Sequence, residues 1–163
     1  MSPLRLSRIA CVAAVALFFA LVALGNVTDY GSNFAFVQHV LMMDTTFKSP
    51  NLMWRAIDVP IAHHAAYVAI IAWEIATAAL LWAGVARLWA ARAADRRTFA
   101  TARGMAIAGL TAGFLLYGAG FIAVGGEWFA MWQSQTWNGQ RAAAIFLLFI
   151  GIALLHLCGP DDA

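Results

Sequence analysis

Four apolar runs, residues 9–27, 61–87, 104–125 and 142–158, leave this chain few ways to fold. A helix crosses the hydrocarbon of a bilayer with roughly 17–25 apolar residues, and each run reaches that length. Inside hydrocarbon every backbone N–H and C=O must be satisfied, which a helix does within its own segment. The expectation is an all-α fold: a four-helix transmembrane bundle, one integral membrane domain over residues 1–163. Composition argues the same way, since the chain is 63% hydrophobic and 11% charged, whereas soluble domains carry about 25% charged residues.

The basic residues orient the bundle. Arg5 and Arg8 precede the first run, and Arg87, Arg92, Arg96, Arg97 and Arg103 flank the second connection; Lys48, Arg55 and Arg141 lie in the other two. Because basic loops are retained on the cytoplasmic side, both termini and the middle connection are expected inside a bacterial inner membrane. The net charge of +2 is too dispersed for a nucleic-acid partner. The first run ends in Ala23-Leu24-Gly25, as a signal peptide can, but it is longer than the usual apolar core of one, so an uncleaved first helix is expected. Cys11 and Cys158 match no metal or redox spacing.

Residues 28–59 form the longest connection. Within it Phe34, Val37 and Leu41, and again Phe36, Val40 and Met43, recur at helical spacing, which predicts a short amphipathic helix over residues 33–44. It is too short to span, and is expected to lie in the outer headgroup region or to cap the bundle. Trp54, Trp128, Trp132 and Trp137 make an outer aromatic belt, and Trp82 and Trp89 an inner one. Asp58 and Pro60 read as the start of the second spanning helix. Residues 34–38 and 129–133 echo each other, and one reading of that echo is an internal duplication.

Glu74 is the most informative residue. It stands in the middle of the second run as the sole carboxylate of that span. A charge there costs at least about 2.5–3.5 kcal/mol on insertion scales, so the side chain faces the bundle interior or is protonated. Thr111 and Tyr117 of the third run are its expected neighbours. It is either a proton-titrating or ligand-binding carboxylate, or a neutral acid that fixes helix registry through hydrogen bonds. His39, Met42, Met43, His63 and His64 put imidazole and thioether groups on the outer side, a weak set for copper or haem. Gly109, Gly113 and Gly120 line one face of the third helix and suit close packing against a neighbouring helix, internal or from another protein.

The segments Asn26–Tyr30, Phe36–Thr45 and Trp132–Gln140, together with Glu74, resemble the bacterial family described as predicted small integral membrane protein, domain of unknown function 2165. The resemblance covers nearly the whole chain. It implies an inner-membrane protein with four transmembrane segments and names no substrate. Its segments fall on the outer connections, where Asp29, Tyr30, Asn33, Gln38, His39, Asp44, Trp132, Gln133, Trp137 and Asn138 mix polar and aromatic groups suited to an interaction surface.

No catalytic triad, paired carboxylates, phosphate loop or zinc spacing is present, so neither enzyme activity nor a cofactor is expected. The leading expectation is an accessory or scaffold subunit of a larger inner-membrane complex, such as a respiratory one. Its partners would be the lipid bilayer, other membrane subunits or a second copy. The alternatives are a haem-, copper- or quinone-interacting redox protein using His39, His63 and His64, and a proton-coupled small transporter using Glu74.

Overall fold

The computed structural model describes residues 2–160, which form an all-α bundle. Four helices are long and apolar enough to cross a membrane: Pro3–Thr28, Pro60–Ala90, Arg96–Trp128 and Gln140–Cys158. Each reaches beyond the apolar run that forecast it. The elements are α1 (Pro3–Thr28), α2 (Tyr30–Met42), α3 (Pro60–Ala90), α4 (Arg96–Ala102), α5 (Gly104–Leu115, continued by a π-helix over Leu116–Trp128) and α6 (Gln140–Cys158). The end of the bundle that carries α2 is its cap end, and the opposite end is its arginine end.

Local chemistry sets the boundaries. Ser2 accepts a hydrogen bond from the Leu4 N–H and Pro3 opens α1, both favourable where the first N–H groups have no helical partner. Only Asp29 separates α1 from α2, so the two helices meet at a bend and not across a loop. The amphipathic helix therefore starts three residues earlier than its periodicity indicates. Met43 ends it in the left-handed conformation, at φ 52°. At the start of α3 the cap position belongs to Val59, with no side-chain bond, so Asp58 does not cap; Pro60 does occupy the first turn.

The arginine-rich connection contains a short helix of its own, α4. Asp95 starts α4 by accepting from the Thr98 N–H at 3.0 Å and the Thr98 hydroxyl at 2.8 Å. The Thr98 N–H first, and its hydroxyl second, hold the Asp95 carboxyl below the usual aspartate range. A carboxyl lowered by folding stabilises at pH above its unfolded pKa, and the effect fades as pH falls through the lowered folded value. Asp95→Ala is accordingly expected to speed amide exchange at residues 97–99 at neutral pH, with the difference from wild type shrinking in acid.

The core forms where α3 lies between α1 and α5, with α6 closing the other side. Phe19, Leu81, Leu110 and Ile150 are fully buried there. Gly109 and Gly113 face inward: a Cβ on Gly109 would lie 2.8 Å from Leu81, and one on Gly113 2.6 Å from Phe19. The glycine face is thus consumed inside this chain, except for Gly120, which is exposed. Gly84 makes the closest approach to backbone, where a Cβ would sit 2.7 Å from the Ala106 main chain.

The cap is held together by its own side chains. Gln133 accepts from the Phe47 N–H at 2.9 Å, Thr45 and Ser134 hydroxyls pair at 2.8 Å, and Met43 packs with Phe129 and Met131. The sequence echo has no counterpart in conformation. Residues 34–38 are α-helical, whereas 129–133 turn at Ala130, φ 51°, into a single 3-10 turn over Met131–Gln133.

Candidate functional site

Glu74 is 2% exposed, and the route by which it is satisfied runs through α1 and α2. Its Oε2 accepts from the Asn26 Nδ2 at 2.8 Å, and the Asn26 Oδ1 accepts in turn from the Asn33 Nδ2 at 2.7 Å. Asn26 lies in the last turn of α1 and Asn33 in the first turn of α2. The one-residue bend at Asp29 brings these two amides together. The Tyr67 hydroxyl, two turns from Glu74 on the same face of α3, reaches toward the Asn26 carbonyl oxygen at 3.5 Å. That distance is long for a hydrogen bond between oxygens, so the network rests on the two amides.

The pairing also fixes the level of the acid. Glu74 is near the middle of the 31-residue α3, yet it meets α1 two residues from the end of that helix. With a rise of 1.5 Å per residue, roughly 20 Å of α3 extends past this point on the cap side. The carboxyl therefore lies at the foot of the cap, beneath α2.

A cavity of about 270 Å³ opens beside it. Glu74, Asn26, Asn33 and Tyr67 supply its polar wall; Phe36, Phe121, Phe146 and Tyr117 supply aromatic walls. A second chamber of about 220 Å³ lies under α2 and shares Phe36, Val37, Ile70 and Phe121 with the first. Its remaining walls include Val40, Leu41, Leu116, Val124 and Phe129, with no ionisable side chain. The π-helix borders both chambers. Its wider winding, marked by the Phe129 N–H bonding back to the Val124 carbonyl, runs through Gly118, Gly120, Gly125 and Gly126.

Tyr117 stands in the cavity wall with Glu74, and Thr111 does not. Thr111 is exposed. It is two residues from both Gly109 and Gly113, so at about 100° per residue it points away from the face they present to the core. Tyr117 is four residues beyond Gly113 and shares the inward face. Sequence reasoning did not join Asn26 to Glu74. A lone amide near the end of an apolar run was the available signal, because such a group in a span needs a partner.

The outer candidates are dispersed. Asp29 accepts from the Ser32 hydroxyl at 2.7 Å, and Gln38 is half-buried on α2. His39 pairs with Asp44 at 2.6 Å and stacks on Trp137 with ring centres 4.6 Å apart. Trp132 is exposed and meets Phe47 edge-on, while the Asn138 side chain accepts from the Gln140 N–H at 3.1 Å. The Tyr30 hydroxyl and the His64 Nδ1 lie 2.9 Å apart, and His64 stacks on Phe34. His63 is buried, its Nε2 donating to the Ile57 carbonyl at 2.7 Å. Met42 is half-buried and Met43 belongs to the cap core. These groups do not converge. Among the described residues no three His, Cys, Asp or Glu side chains stand close enough to hold a metal ion.

No curated protein and no solved structure matches the chain. A family model described as "Predicted small integral membrane protein (DUF2165)" matches residues 4–160. The chain, an all-α protein with four apolar spans, belongs to this family of small integral membrane proteins.

Proposed function

We propose that this protein binds a small amphipathic molecule within the membrane, with the polar end at Glu74 and the apolar end under α2. The observation that carries the reading is the Glu74 carboxyl: buried, engaged on Oε2 alone among the described residues, and part of the wall of a cavity that borders an apolar chamber. An acid that served only to fix helix registry would be closed off by its hydrogen bonds. Ligand sites, by contrast, are mostly apolar concavities with a few convergent polar groups. In a bacterial inner membrane with the arginine end inside, as retention of basic residues favours, the site would lie toward the periplasmic side.

A quinone-like ring, or a solute carried with proton coupling at Glu74, would occupy the same cavity. The haem and copper alternatives draw no support from His39, His63 and His64, whose rings bond Asp44, Ile57 and Tyr30 respectively. The accessory-subunit reading is supported by the exposed cap residues Phe47, Trp54 and Trp132, since aromatic residues are enriched at protein interfaces. It loses the glycine face that would have received a partner helix.

Native mass spectrometry from a mild non-ionic detergent tests the proposal. Wild type is expected to carry an added small-molecule mass that Glu74→Gln weakens and Gly120→Phe, which fills the apolar chamber, removes. Retention of the same mass by both variants would overturn it. So would a bare wild-type mass together with no thermal stabilisation by a total lipid extract. A stoichiometric protein partner, lost on Trp132→Ala, would favour the subunit reading instead.

A further inference from the structure

Resting on the cavity reading above, we infer that the ligand is an organic cation, an alkylammonium-type amphiphile whose charged head sits against Glu74 inside a box of aromatic rings. Two independent features converge on this chemistry. The first is an acid without a counter-ion. Glu74 is buried, and among the described residues its single hydrogen bond comes from a neutral amide and no Lys, Arg or His contributes to the cavity wall. Buried charges are ordinarily paired. Arg5 and Arg8 bond backbone carbonyls at the other end of the bundle, and Arg55, at the cap end, is spent on the Trp128 carbonyl and the Trp128 ring.

The second feature is the aromatic part of the lining. Phe36, Tyr67, Tyr117, Phe121 and Phe146 all line the cavity. Four of them form a continuous set, with Tyr117 ring centres 5.3 Å from Phe121 and 4.9 Å from Phe146, and Phe36 6.1 Å from Phe121. Aromatic faces attract cations through the ring quadrupole, and an enclosing set of rings suits an alkylated ammonium in particular. An anionic head would meet the acid with no compensating donor of positive charge. A neutral head would gain a hydrogen bond but make no use of the rings' field. The neighbouring apolar chamber takes an alkyl tail.

The test is a charge series at constant tail length, read as saturable thermal stabilisation of the full chain in non-ionic detergent. The probes are hexyltrimethylammonium, hexan-1-ol and hexyl sulfate. The cation is expected to bind tightest to wild type. Glu74→Gln should weaken it by about thirtyfold, as for truncating one partner of a buried charge pair, and leave the alcohol nearly unchanged. Phe121→Leu should weaken the cation by about fivefold, again sparing the alcohol. If Glu74→Gln does not fold, the wild-type series and Phe121→Leu still decide. Equal binding of cation and alcohol, or preference for the sulfate, would overturn the cation assignment and leave the cavity reading standing. Failure of all three probes to bind would overturn both.

Discussion

Arg8→Met is expected to lower the unfolding free energy by about 3 kcal/mol, one of the two largest effects of any single substitution considered in this protein. Arg8 is 1% exposed on α1 and donates to the carbonyls of His156 at 3.0 Å, Gly159 at 2.8 Å and Pro160 at 2.6 Å. The last carbonyls of a helix have no partner within it and carry the negative end of its dipole, so a guanidinium there satisfies both at once. Methionine keeps much of the apolar stem and removes every donor. Each orphaned, partly buried carbonyl costs roughly 1–3 kcal/mol, and water reaching the helix end recovers part of the sum. Lysine supplies the charge but not the planar fork, and is expected to restore less than half. Unfolding in detergent, followed by amide exchange over residues 150–158, checks both size and place: loss of protection at the end of α6 before the rest of the bundle is the signature.

What could be read in advance follows the range of the forces involved. The spans were legible because a run near twenty apolar residues has one outcome in a bilayer, whatever its neighbours. Glu74 was legible for the complementary reason, as a costly group in an apolar run. Its partners were not. Asn26 reaches Glu74 because α1 stops at Thr28 while α3 continues well past that level, and helix offset is a tertiary quantity absent from either segment alone. Asn33 joins because a single residue separates α1 from α2, where the sequence suggested a looser connection. Thr111 was misplaced through the rotation of α5 about its axis, which Gly84, Gly109 and Gly113 set by their contacts with Ala106, Leu81 and Phe19. The outer polar residues looked like a surface for another molecule, yet Gln133, His39 and Asp44 bond within the cap. Composition marks such groups as interactive but does not choose between partners in the same chain and partners outside it.

Gly84→Leu is expected to cost about 3 kcal/mol, at the upper end of overpacking penalties. Helix propensity alone predicts the reverse, because replacing a mid-helix glycine with leucine or alanine gains up to about 1 kcal/mol. Contact geometry decides between the two effects. A Cβ on Gly84 would lie 2.7 Å from both the Cα and the N of Ala106, and backbone atoms cannot swing aside as a side-chain tip can. Gly25, with nothing within 4 Å, isolates the propensity effect: Gly25→Ala is expected to be neutral or mildly stabilising in the same melts. In the pair Gly84→Ala with Ala106→Gly, removing the Ala106 Cβ relieves one of the three close contacts, so rescue should be partial. Full rescue would mean that the backbones are free to separate. The seam matters beyond stability. From Gly84 opposite Ala106, through Leu81 opposite Gly109, to Thr77 near Gly113, α3 and α5 are held at backbone distance. Beyond Leu115 the partner becomes a π-helix, and the space between the two elements opens into the Glu74 cavity. Gly84→Leu pries apart the closed end of that wedge, so any ligand-dependent stabilisation should fall along with the melting temperature.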